Sequence, residues 1–276
     1  MQYELKDTIL CLDNVELGYG EGSEYKTVLK NINMIEKDVV RTGTITGQVI
    51  AIVGRSGRGK STLFKALTGL KSPKSGQVLI TELNTPEVDD ARIVREGDVG
   101  FVDQKYTLFR HKTVEQIFAY ALRKSKMTKE EKQKTINHYL AEWGLEPHRH
   151  KYSCELSGGQ RQRTAIIEQI LSSGHFMVLD EPFSGLDVGN IRDVKRSFEL
   201  IQKSHELNTI IFSTHELRLA VELADSIYVV GFPDETREWA TIVKHFDLKE
   251  MGLAWQSWDQ RHVALVDEID KTMMAS

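Results

Sequence analysis

The chain has 276 residues, 40% of them hydrophobic and 28% charged, enough to bury one substantial core or one core with a smaller lobe. A formal net charge of -4 offers no broad attraction to nucleic acid or anionic lipid, so nucleic acid is not an expected partner. Cys11 and Cys154 alone are too few for a disulfide framework and read as buried or half-buried thiols in a reducing compartment.

Residues 1–7 alternate charged and apolar side chains and lack the apolar centre of a secretory signal. No stretch approaches the roughly 20 apolar residues of a membrane-spanning helix, so work at a membrane would need another chain to cross it. Residues 9–17 read as a strand of a flanking antiparallel sheet. The short apolar runs 49–53, 78–80, 99–102, 177–179, 209–212 and 227–230 read as buried strands. Helical patterns over 61–67, closed by Gly69, and over 190–204 alternate with them, which predicts an α/β layer with a mostly parallel sheet.

Between Thr113 and Trp143 the strand signal stops. Two helical stretches follow, each opened by a capping box, Thr113 with Gln116 and Thr128 with Glu131, and together they predict an inserted helical lobe. Gly144 ends the second helix. His148 and His150 flank Arg149 in a polar stretch that reads as a solvated loop, not a metal-ligand pair. The segment 231–276 is acid-rich, carries Trp239, Trp255 and Trp258, and reads as an appendage. Within it Trp239, Ile242, Val243 and Phe246 fall on one face of an expected helix that packs onto the parent domain.

Gly54-Arg55-Ser56-Gly57-Arg58-Gly59-Lys60-Ser61 follows a strand and opens a helix, the context of a phosphate-binding loop. Its glycines let the backbone curl so that successive N–H groups face phosphate oxygens, and the helix amino terminus adds partial positive charge. Lys60 supplies a full charge to the β- and γ-phosphates, and the Ser61 hydroxyl can ligate magnesium. The expected nucleotide contacts here are Gly54, Ser56, Gly57, Gly59, Lys60, Ser61 and Thr62, whereas Arg55 and Arg58 take variable positions with no assigned role.

The apolar run 176–179 ends in Asp180-Glu181, and ligands of open α/β sheets sit beyond the carboxyl ends of strands. Asp180 is expected in the magnesium shell and Glu181 beside the attacking water as general base. The strand at 210–212 leads to Ser213-Thr214-His215, which brings an imidazole to the same edge. Leu156-Ser157-Gly158-Gly159-Gln160 is a second anion-binding helix start, with Ser157 and Gln160 as its capping box. One nucleotide does not need two such loops from one chain, so this loop is expected to serve ATP held by a neighbouring copy.

With these motifs the chain resembles the nucleotide-binding subunit of an ATP-binding cassette transporter, over about residues 10–230. The resemblance implies a RecA-like P-loop core with a mostly parallel sheet, a flanking antiparallel β-subdomain and an inserted helical subdomain at about 105–170. The ATPase domain would span 1–230, followed by the extension 231–276. Tyr19 corresponds to the aromatic residue that stacks on adenine. Gln104 corresponds to the glutamine linking magnesium to the lobe, and joins Ser61 and Asp180 as a metal ligand. Ser157, Gly158, Gly159 and Gln160 correspond to the signature that caps the γ-phosphate of the partner's ATP, Asp187 to the dimer-contact loop and His215 to the switch histidine, so that Lys60, Glu181 and His215 form the catalytic set.

The same resemblance implies a magnesium-dependent ATPase that dimerises with itself or a paralogous subunit around ATP. It would drive substrate movement through separate integral membrane subunits, whose short helix enters a groove near Gln104, Tyr106, Leu108 and Phe109. That places the chain on the cytoplasmic face of the inner membrane. The competing class is a soluble cassette protein using ATP-gated dimerisation as a switch, and the single cassette without a coiled-coil insertion argues against its common forms. One departure stands out: in Thr164-Ala165-Ile166-Ile167-Glu168-Gln169, Glu168 occupies a position where family members usually carry arginine.

Overall fold

A computed structural model describes residues 3–41, 47–81, 91–173, 175–184, 188–204 and 208–276. In chain order the elements are β1 (Tyr3–Tyr19), β2 (Lys26–Arg41), β3 (Gln48–Val53), α1 (Lys60–Leu67), β4 (Ser75–Thr81), β5 (Ala91–Ile93) and β6 (Gly100–Val102). They continue with α2 (Val114–Ala121), α3 (Lys129–Glu142), α4 (Gly158–Ser172), β7 (Phe176–Leu179), α5 (Val188–Ser204) and β8 (Thr209–Thr214). The last are α6 (Leu217–Leu223), β9 (Ser226–Gly231), β10 (Thr241–Asp247) and α7 (Gln260–Ala275).

Among the described residues the strands form two sheets, a four-stranded one in the order β2-β1-β4-β5 and a six-stranded one in the order β10-β9-β3-β8-β7-β6. The first is antiparallel throughout. In the second, β9, β3, β8, β7 and β6 run parallel, and β10 alone is antiparallel to β9. Every residue of β3 is buried, because both faces are covered and alternate side chains enter different cores. Val49, Ala51 and Val53 face the helical layer, whereas Ile50 and Ile52 pack with Leu12, Leu17 and Leu29 of the antiparallel sheet and Phe64 of α1.

Residues 78–80, expected in the parallel layer, belong to the antiparallel sheet: Leu10 pairs with Ile80 and Leu12 with Val78. A short apolar run says that a strand is buried but not which strand lies beside it, and here the edge of β1 supplies the partner. The helical lobe forms as its caps dictate. Thr113 and Thr128 each accept from the backbone N–H three residues on, and Gln116 and Glu131 return the bond. Phe118, Leu122, Leu140 and Trp143 fill its interior.

The segment after Gly231 departs from the expected helix. Residues 241–247 form β10, with Phe246 paired to Ile227 and Ile242 to Val230. Ile242 packs into the core beneath the antiparallel sheet, whereas Val243 and Phe246 enter the helical-layer core. The four residues therefore do not share a helical face; β-branched Thr241, Ile242 and Val243 find the open edge of β9, and long-range pairing overrides the local periodicity. Downstream, Leu265, Ile269 and Met273 of α7 join the same core.

A buried polar cluster ties this segment to the rest. Asp225 accepts the Val49 amide at 2.7 Å and the Arg41 guanidinium at 3.4 Å. Arg41 lies over the Trp255 ring at 3.9 Å, and Lys249 Nζ donates to Ser226 Oγ at 2.9 Å. The end of β2, the start of β3, the start of β9 and the C-terminal segment thus meet on charges that burial would otherwise penalise. Cys154 is exposed, not half-buried as its type suggested, while Cys11 is partly buried.

Candidate functional site

Beyond the carboxyl ends of β3, β7 and β8 lies a cleft of about 590 Å³ lined by Tyr19, residues 56–62, Gln104, Asp180, Glu181 and His215, together with Val28 and Ser184. The loop between β3 and α1 forms its floor. Gly59 caps α1 with φ 88°, and a Cβ there would press on Leu29 and Val28; a Cβ at Gly54 would overlap the Val230 carbonyl oxygen. Glycine is therefore required at both, for a left-handed turn at one and a close backbone approach at the other. The first α1 bond runs from Leu63 N to Gly59 O, which leaves the amides of Lys60, Ser61 and Thr62 without a carbonyl earlier in the helix. Lys60, only 8% exposed, donates from Nζ to the Gly54 carbonyl at 2.7 Å.

The acidic strand end is organised by a residue that sequence reasoning left without a role. Ser213, fully buried on β8, donates from Oγ to Asp180 Oδ1 at 2.7 Å and accepts the Glu181 amide at 2.9 Å. One hydroxyl therefore sets the relative placement of both carboxylates. The signal for it was the register itself: Leu179 pairs with Phe212, so the next residues on the two strands meet at the sheet edge. Glu181 sits at φ 51°, a left-handed conformation that costs a non-glycine residue on the order of 1 kcal/mol or more and is typical of residues held for function. Its Oε1 lies 3.6 Å from Lys60 Nζ and its Oε2 2.9 Å from His215 Nδ1. An ionised carboxylate only accepts, so Nδ1 of His215 carries the proton in that bond.

Gln104 donates from Nε2 to Ser184 Oγ at 3.1 Å, which leaves its carbonyl oxygen available to a cation. Ser61, Asp180 and Gln104 thus offer a hydroxyl, a carboxylate and an amide oxygen on one cleft, a hard donor set that suits magnesium completed by water and phosphate oxygens. Tyr19 is 45% exposed, its hydroxyl 3.2 Å from Thr62 Oγ1 and its ring centroid 4.3 Å from Lys71 Nζ. Arg58 also lines the cleft; its guanidinium lies 4.0 Å from the Phe232 ring, and burial holds its pKa below the usual value.

The second loop stands elsewhere. Ser157 caps α4 in a capping box with Gln160, as its sequence predicts, yet none of residues 157–160 lines the cleft. Asp187 lies outside the described residues. Tyr106, Leu108 and Phe109 are partly buried against the helical-layer core, with Tyr106 Oη donating to the Pro182 carbonyl at 3.2 Å. His148 is not in a solvated loop; it is half-buried at the end of a short 3₁₀ turn, Glu146–His148, with Nε2 2.9 Å from Gln160 Nε2.

A family model described as ABC transporter matches residues 39–184, more than half of the chain. The chain belongs to the ABC transporter family. The sulfate/thiosulfate import ATP-binding protein CysA of Synechocystis sp. is 33% identical to this ABC family chain over 222 residues, 80% of the chain and 58% of that protein. The chain spans a little over half the length of four of the curated relatives it matches, 53–59% of each. Among solved structures, cbiO1 from Clostridium perfringens, part of the ABC transporter complex cbiONQ, superposes with a TM-score of 0.70 at 25% identity over 98% of both chains. The cassette MJ0796, a dimer in a post-hydrolysis state bound to ADP and Pi, superposes with a TM-score of 0.65 at 25% identity over 87% of this chain and 99% of that one. The RecA-like α/β architecture that the sequence resemblance implied is the architecture of these ABC relatives.

Proposed function

We propose that this ABC family chain binds and hydrolyses ATP with magnesium in a dimer of two copies, and drives solute import through separate membrane-spanning chains. The observation that carries this reading is a division of parts: the cleft gathers Lys60, Asp180, Glu181, Gln104 and His215, while the signature helix start at Ser157 lies outside it. A second copy facing the first would bring its Ser157 and the amino terminus of its α4 to the exposed γ-phosphate.

In this reading the unpaired amides at the start of α1 cradle the phosphates, Lys60 neutralises the β- and γ-oxygens, and Tyr19 stacks on adenine. Ser61, Asp180 and Gln104 would hold magnesium, which would supply charge neutralisation at the phosphate oxygens. Incoming phosphates compete with Glu181 for Lys60, and release the carboxylate to accept a proton from the attacking water. His215 then keeps Oε2 oriented through its Nδ1–H at the same sheet edge. The import direction is supported by the relative named for sulfate/thiosulfate import, and coupling to membrane chains by the cbiONQ complex of the cbiO1 relative. The partly buried patch at Tyr106, Leu108 and Phe109 is the surface proposed to meet the membrane subunit.

The test is Glu181→Gln. It is expected to bind ATP as tightly as the parent, to lose about 10²- to 10⁴-fold in turnover, and to form an ATP-dependent dimer by light scattering. Turnover at the parent rate would remove Glu181 from the role of base.

A further inference from the structure

Gln160 is committed at its oxygen. Oε1 accepts the Ser157 amide at 2.9 Å, while the Gln160 amide donates to Ser157 Oγ at 3.3 Å. The other end of the side chain, Nε2, meets His148 Nε2 at 2.9 Å. A primary amide nitrogen donates and does not accept, so the imidazole nitrogen is the acceptor, and the neutral ring must carry its proton on Nδ1. That nitrogen is shut off from solvent and has no hydrogen-bond partner among the described residues. The ring is thus anchored on one side only, through Gln160.

We propose that His148 is a positioning residue for the signature loop, its unprotonated Nε2 fixing the Gln160 amide so that Oε1 holds the Ser157 backbone at the start of α4. This rests on the reading that the Ser157 loop serves the nucleotide of a facing copy. Protonation would set an N–H of the imidazolium against the amide N–H₂. To relieve that, the amide must turn its oxygen to the ring, and the Ser157 amide loses its acceptor. Burial lowers the pKa of the ring, and the charged groups acting on it, Lys151 from the same loop and Arg163 from α4, are both cations that lower it further. Neighbouring Arg149 is engaged with Glu115, Asn137 and Glu146. The cap is therefore closed at neutral pH and opens as acid protonates His148.

Nitrogen-resolved NMR of the imidazoles in the full chain reads the tautomer directly. The Nδ1–H form is expected for His148 at neutral pH; the Nε2–H form or an imidazolium there would overturn the proposal. His148→Gln supplies an acceptor oxygen that does not titrate, and His148→Leu supplies none. Over about pH 5 to 8, the Ser157 amide resonance should move with the His148 titration in the parent, stay fixed in the glutamine variant and sit at the open position throughout in the leucine variant. In the Glu181→Gln background, ATP-driven dimerisation should weaken about tenfold, the effect of one lost hydrogen bond, at acid pH in the His148 chain and at every pH in the leucine variant, with the glutamine variant flat. Leucine and parent chains with the same Ser157 resonance at every pH refute the role of His148. If no chain dimerises at any pH, the facing-copy reading fails instead, and the tautomer and the Ser157 resonance still decide the His148 contact.

Discussion

Glu181 Oε2 stands 2.9 Å from His215 Nδ1 while its other oxygen stands 3.6 Å from Lys60 Nζ, so one carboxylate bridges the first residue of α1 and a residue at the end of β8. The bridge links the floor of the cleft to its far wall. Glu181 is mostly shielded and His215 more than half exposed, which makes the histidine the movable partner.

Removing that partner should separate binding from chemistry. His215→Ala is expected to lower kcat by about 10²-fold or more with KM for ATP little changed, because Lys60 and the α1 amides remain. Steady-state ATPase assays across ATP concentrations check this; a change confined to KM would assign His215 to binding.

Ser213→Ala leaves Asp180 Oδ1 and the Glu181 amide without their shared partner at a fully buried position. A loss of about 1–3 kcal/mol in unfolding free energy is expected, together with a higher magnesium requirement for turnover. Urea unfolding and a magnesium titration measure the two effects on the same protein. A normal magnesium requirement would mean that Asp180 is held without Ser213.

Glu36 on β2 is 4% exposed, and burial pushes its pKa up to about 7, against the pull of Lys249 and the hydroxyls of Tyr228 and Ser226. The folded value lies above the ordinary 4.5, so its contribution to stability is full below about pH 4.5 and is lost as pH rises through about 7. Glu36→Gln should therefore gain on the parent across that window, by up to about 3 kcal/mol at its upper end. Denaturant unfolding at several pH values reads the gap, and a constant difference would exclude Glu36 as its source.

Deleting residues 232–276 uncovers the edge of β9 and the apolar surface against which Leu265, Ile269 and Met273 pack. The truncated chain is expected to aggregate or to lose cooperative unfolding. A soluble product with a sharp thermal transition would show that the sheet does not depend on β10 and α7.

Where local structure is encoded in contiguous residues, the sequence was sufficient. The glycines of 54–61 dictate the tight turn between β3 and α1, where the backbone has no room for a side chain at Gly54 or Gly59, and the capping boxes at Thr113, Thr128 and Ser157 close over three residues. Such local hydrogen bonds form wherever the chain folds. The tertiary structure decided what depends on distant partners: that residues 78–80 join the antiparallel sheet, that 241–247 become a strand on the edge of β9, that Ser213 binds both Asp180 and Glu181, and that His148 meets Gln160. These contacts join residues from 10 to 70 positions apart, and what selects them is burial and strand pairing, neither of which is written in the spacing of nearby residues.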